Sequence, residues 1–404
     1  MRSFTLASCA LYFLTGLTSI SIGSVMPQLL NYYQVSYTIG GQLIFTGSIG
    51  YLSGVLIASW LNNHFRPQPL LSTAALIIAV SQFSIMLLPP LPLFMIFFFL
   101  NSIGNALIGI VVATTFLDVF TGSQAVAMSY LEVAFGLGSF IMPILAGVFI
   151  ALDSWRFLFL LTTVMAVLLA FMWTRIVISS RQADASVHAR DASSTMNDTQ
   201  ILTPALKWSL LGLFAFIVFL YGGLEGSLNN FMSSIFINYL QIAAYYAPVS
   251  VGIFWGAMVI GRALTGVIIR KMTYSRYLTT NICGAILALC LFIMLKSALF
   301  GYVLVALLGL MMSGIYSITL VYANHSIPNS AHLVTPVIAG LCGLGAAVLP
   351  AFTGFLIDRG GMLPTLWYIA GIATAYLTFL LCINRMRRRR GHRPVFALRK
   401  AHAK

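Results

Sequence analysis

Long apolar runs, each ended by a polar, Gly or Pro break, recur near residues 5–30, 39–61, 69–88, 92–119, 124–150 and 155–179. A second set of six follows near 207–235, 246–270, 276–296, 299–324, 332–357 and 362–384. A helix rising 1.5 Å per residue needs ~20 residues to cross ~30 Å of hydrocarbon, so each run is long enough to span a membrane. The runs are too long for barrel strands, and in lipid the backbone must satisfy its own polar groups, which a helix does. The pattern predicts an all-α integral membrane protein of twelve transmembrane helices. One long polar stretch, rich in Ser, Asp, Ala and Thr, divides the runs six and six. The expected organisation is an N-terminal six-helix bundle (1–179), a cytoplasmic linker (180–206), a C-terminal six-helix bundle (207–386) and a basic tail (387–404).

The two halves carry the same punctuation. Gly136, Gly138, Pro143 and Gly147 reappear as Gly343, Gly345, Pro350 and Gly354, at the constant offset 343 − 136 = 207, and the same offset lays Gly54 on Gly261. An even number of spans per half keeps both halves in one orientation, so the repeat is parallel, about an axis along the membrane normal. The small residues allow close helix approach, and a mid-helix Pro removes a backbone donor and bends its helix.

Composition and charge narrow the picture. Apolar residues make up 60% of the chain and charged residues 7%, against about a quarter charged in soluble domains. The net charge of +14 invites a nucleic-acid reading, but the cations sit at span ends and in the tail, where they act as topology anchors. With the N-terminus cytoplasmic, the outward loops hold only Arg156, Lys296 and Arg359; apart from Arg262 within a span, the remaining Lys and Arg face inward. Both termini are therefore expected on the cytoplasmic side of the cell membrane. Cys9, Cys283, Cys290, Cys342 and Cys382 lie in or near apolar runs without metal-type spacing, so neither a disulfide nor a metal site is expected.

The ionisable groups left at membrane depth are the candidates for function, since each costs on the order of 3 kcal/mol there and persists when paired or used. Glu225 falls near the middle of the seventh run. Tyr221, Glu225 and Asn229 recur at helical spacing on one face, with Asn230 adjacent, and this face is expected to line a polar cavity. Glu132 and Arg262 lie at similar depth and are able to pair, either as a latch that breaks when the bundles rock or as a static brace. Asp118 sits at the inner end of the fourth run, where a wet turn is expected. Gln28, Asn101, Asn105, Trp255, Ser313, Tyr316 and Ser317 together add donors, acceptors and aromatic faces suited to a polar organic solute, although a residue of this kind taken alone is more often helix packing than a ligand contact.

These features resemble the major facilitator superfamily over essentially the whole chain, in span count, mid-chain linker and the paired Gly-Pro-Gly strings. The stretch Tyr130 to Gly138 with Pro143, Gly147, Trp155 and Arg156, and Phe254, Trp255, Gly256, Gly261 and Arg262, is similar to the fucose and glucose permease-like branch. The resemblance implies two pseudo-symmetric six-helix bundles, a cavity lined by spans one, four, seven and ten, and sugar transport coupled to protons or sodium. Asn63 stands where the family's loop after span two carries an acid, and Gly109 and Ala113 stand where the branch has Asp and Asn. Coupling then falls to Glu225, Glu132 or both.

The expected function is secondary active transport of a small polar organic solute, a sugar among the candidates, by alternating access with a coupling proton or sodium ion. A drug or metabolite exporter of the same fold and a non-transporting receptor or scaffold are the alternatives. No phosphate-cradling Gly-x-x-x-x-Gly-Lys motif and no His-carboxylate cluster at membrane depth is present, so no ATP use, cofactor or enzymatic activity is expected. The partners expected are the solute, the coupling ion and the lipid bilayer, with the chain working as a monomer.

Overall fold

The structure is a computed structural model, and it describes residues 2–120, 124–175, 204–327 and 330–389. Among these, α-helices follow one another and no strand occurs. They are α1 (Arg2–Ser24), α2 (Met26–Tyr33), α3 (Tyr37–His64), α4 (Pro67–Met86), α5 (Leu91–Val119), α6 (Gln124–Ala151), α7 (Phe157–Arg175), α8 (Pro204–Leu240), α9 (Ala247–Ile268), α10 (Tyr274–Leu295), α11 (Ala298–Met312), α12 (Ile315–Ser326), α13 (Ala331–Gly360) and α14 (Met362–Arg389). Twelve spans have the length and apolar character to cross a membrane, so the chain is a multi-pass membrane protein. Most of the expected linker, residues 180–203, and of the tail, 390–404, lies outside the described residues.

Two spans are broken. The first helix stops at Val25, whose φ of −112° and ψ of 16° leave the helical region, and Pro27 sits at the start of α2, where its missing N–H is no loss. The tenth span, Ala298–Ser326, is interrupted at Ser313 and Gly314, between α11 and α12. Non-helical backbone at membrane depth is tolerated where protein or a polar cavity surrounds it.

The chain forms two compact units: Met1–Val35, Gln42–Asn197 and Ala244–Gly252 in unit one, and Ser36–Gly41, Asp198–Ala243 and Ile253–Lys404 in unit two. In unit one α1 packs along α6, and α4 along α7 and α5; in unit two α8 packs along α13 and α14, and α10 along α11 and α14. The duplicated string does the same work in each. A Cβ on Gly138 would strike the Phe13 carbonyl of α1, and one on Gly345 the Phe219 carbonyl of α8. Further along, Gly147 meets the Tyr245 carbonyl and Gly354 the Tyr37 carbonyl. That second pair explains why a short segment from each half clusters with helices of the other. In unit two the arrangement is tied by Asp358, which accepts from the Tyr37 and Thr38 backbone N–H groups at 3.0 and 2.6 Å and from Thr38 Oγ1 at 2.5 Å. The carboxylate thus caps the first turn of α3, where backbone donors have no helical partner.

Candidate functional site

Unit two gathers its polar groups on one face of α8, because residues four apart stand one above another on a helix. Tyr221 is buried, while Glu225, Asn229 and Asn230 are half-buried. Tyr221 and Glu225 share a side-chain hydrogen bond; Tyr221 also lies within electrostatic reach of Arg262 of α9 and Cys342 of α13, and Glu225 within reach of Cys342. The Tyr221 hydroxyl also donates to the Met312 carbonyl at 3.2 Å. Met312 is the last residue of α11, so this bond meets the backbone at the break in the tenth span. Just past the break, Tyr316 in the first turn of α12 is half-buried, and its ring stacks near that of Tyr221, with centroids 6.5 Å apart and planes at 25°. Ser317 is exposed, and Ser313 is buried and donates to the Leu310 carbonyl at 2.8 Å.

α9 supplies the second wall. The buried Trp255 indole N–H donates to Asn229 Oδ1 at 3.0 Å. With its oxygen held, the Asn229 amide presents its NH2 as the group left to bind a ligand. The Arg262 guanidinium stands over the Trp255 ring, 5.6 Å from the centroid, and one Nη donates to Met258 Sδ at 3.7 Å. Asn230 is turned back on its own helix, donating to the Gly226 carbonyl at 2.8 Å. The result is a compact patch holding a carboxylate, a guanidinium, an oriented amide and aromatic rings.

Unit one carries a smaller polar group. Glu132 is exposed on α6, and its charge acts on Tyr12 of α1, whose hydroxyl donates to the Gly109 carbonyl at 2.8 Å; Tyr51 of α3 acts on the same tyrosine. Asn101 accepts from Gln82 at 3.0 Å, and Gln82 accepts from Thr162 at 3.1 Å, which ties α5 to α4 and α7. Asn105 accepts from Thr18 of α1 at 2.8 Å. Gln28 falls on the short α2 beyond the break, with its Oε1 buried and without a hydrogen-bond partner. Of the residues singled out in the sequence, the structure therefore brings Tyr221, Glu225, Asn229, Trp255, Arg262 and Tyr316 together, and sets Asn101 and Asn105 in helix-to-helix bonds. Glu132 belongs to unit one, where Tyr12 lies within reach of its charge. Tyr12, Tyr51 and Cys342 were not singled out; nothing in a lone Tyr or Cys within an apolar run distinguishes a site from packing.

Twelve membrane spans in two halves of matching punctuation, each half with polar groups at membrane depth, define the architecture of a membrane carrier. The chain belongs to the Major Facilitator Superfamily, which it matches over residues 8–338. Over 411 residues it is 28% identical to the glucose/mannose transporter GlcP of Bacillus subtilis (strain 168), a match covering 99% of both chains. Among solved structures, a D-xylose-proton symporter superposes with a TM-score of 0.72 at 15% identity, covering 94% of this chain and 97% of that one. The nucleoside transporter NupG superposes with a TM-score of 0.69 at 12% identity, covering 95% and 99%. At those identities the structural likeness shows the fold alone.

Proposed function

We propose that the chain is a secondary active transporter that carries a hexose-class solute across the cytoplasmic membrane by alternating access, coupled to protons through Glu225. The observation that carries this reading is the unit-two patch, in which Glu225, Asn229 and Arg262 stand within the same few turns as the half-buried ring of Tyr316. A pyranose offers hydroxyls that both donate and accept, together with an apolar ring face. A few placed polar groups beside an aromatic wall match both. Similarity to a glucose/mannose transporter along the full length supports the same solute class. The excess of Lys and Arg on the segments assigned inside supports cytoplasmic termini, and one chain holding both halves supports a monomer as the working unit.

Counterflow in proteoliposomes tests the reading. Vesicles loaded with unlabelled D-glucose are expected to take up labelled D-glucose, with mannose competing and lipophilic cations not competing. Competition by lipophilic cations alone would make the protein a drug carrier, and binding without exchange would make it a receptor. Replacing the proton gradient by a sodium gradient separates the two coupling ions.

A further inference from the structure

A cavity of about 770 Å³ opens on the surface of unit two, between the start of α10 and the end of α14, away from the Glu225 patch. Its lining includes Arg276, Thr279 and Thr280 from α10 and Leu381, Asn384 and Arg385 from α14. Both arginines are exposed, and no lining residue is acidic. Asn384 is buried, and its Oδ1 accepts from the Tyr322 hydroxyl at 2.8 Å, so the donor-bearing amide nitrogen is what it has left to offer. One turn further along α14, the Arg387 guanidinium lies 4.8 Å from the Tyr322 ring centroid, and its buried Nε has no hydrogen-bond partner. The cavity also abuts the first turn of α10, where Thr273 caps one N–H, that of Arg276, at 3.3 Å, and the helix dipole favours an anion.

We propose that this cavity binds the phosphate of an anionic phospholipid from the leaflet on the side of the C-terminus, the cytoplasmic leaflet on the proposed topology. A phosphate diester presents only acceptor oxygens, which suits two guanidiniums, an amide and hydroxyls, and Arg meets such oxygens in a bidentate way. The exposed Leu381 on the rim gives an acyl chain an apolar edge to lie against, which favours a lipid over free phosphate. Basic pockets between spans on the cytoplasmic side hold headgroups of this kind.

The test uses the purified full chain in neutral detergent. Thermal unfolding and native mass spectrometry are read with dioleoyl-phosphatidylglycerol, dioleoyl-phosphatidylcholine or inorganic phosphate added. The wild type is expected to retain phosphatidylglycerol over phosphatidylcholine and to melt at a higher temperature with it. In R276Q/R385Q the affinity is expected to fall about 25-fold, each arginine near a headgroup contributing about fivefold, while R156Q at another exposed site keeps the wild-type value. If inorganic phosphate raises the melting temperature as much as the lipid does, the phosphate site stands and its source is the free ion. Equal retention of the two lipids by the wild type, which needs no variant to fold, overturns the proposal, as does an undiminished phosphatidylglycerol effect in R276Q/R385Q.

Discussion

Tyr221 has one hydroxyl proton and two neighbours that want it, the Met312 carbonyl and Glu225. When Glu225 is ionised it is an acceptor only; when protonated it becomes a donor to the phenol oxygen and frees the phenol proton for Met312. On the proposed coupling, loading a proton on Glu225 would strengthen the bond to the break in the tenth span, and losing it would draw the phenol away. Glu225→Gln keeps the size and cannot titrate. In proteoliposomes it is expected to retain hexose exchange and lose accumulation driven by a proton gradient; accumulation that keeps its full dependence on the gradient sinks the assignment. Tyr221→Phe leaves the Met312 carbonyl without its donor, a loss of about 1–3 kcal/mol, and is expected to lower accumulation at a given gradient more than exchange. Asn229→Ala removes the amide that Trp255 orients and is expected to raise the KM for the solute about tenfold, one hydrogen bond's worth, with little change in the maximal rate of exchange. Glu225 was legible in the sequence because a carboxylate in an apolar run is costly. Its hydrogen-bond partner was half legible: Tyr221 followed from helical spacing, but the bond from Tyr221 to Met312 depends on a break that hydropathy does not register.

At the scale of elements, the twelve spans could be read from apolar runs because length and composition alone decide whether a helix can cross lipid. The expected run 332–357 corresponds to the span Leu333–Gly360, and 155–179 to Phe157–Arg175. The breaks escaped because Val25, Ser313 and Gly314 lower hydropathy hardly at all, and what changes is the backbone, with Val25 at φ −112°, ψ 16° and Gly314 at φ −108°, ψ 0°. Pro27 was the available signal for the first. The glycine strings, by contrast, were legible as close-approach positions, and the structure supplies the surfaces they meet. Gly345→Leu drives a side chain into the Phe219 backbone, which has no rotamer by which to yield. Overpacking of this kind costs about 1–3 kcal/mol or more, so the variant is expected to melt at a lower temperature and to give less monodisperse protein on gel filtration. Gly212→Leu, where no atom lies within 4 Å of an added Cβ, is expected to behave as the wild type. Equal losses in both variants would show that the string has no special packing role.

At the scale of the molecule, duplication and charge bias make one joint prediction. Two halves of six spans place the N-terminus, the polar stretch between the halves and the C-terminus on one side, and the positive-inside rule predicts that side to be the cytoplasmic one. The opposite side is then represented by the turn between α10 and α11, where Lys296 adopts a left-handed conformation and Ala298 is exposed. In a chain freed of its five cysteines, a single Ala298→Cys reporter is expected to react with a membrane-impermeant maleimide in intact cells. A single Ser194→Cys reporter, in the stretch between the halves, is expected to react only after the cells are permeabilised. Because the spans form one continuous thread, both reporters must move together. Labelling of Ser194→Cys but not Ala298→Cys in intact cells inverts the topology, and with it the leaflet assigned to the Arg276 and Arg385 cavity. Labelling of both without permeabilisation breaks the odd count of three spans between the two positions and with it the six-span second half.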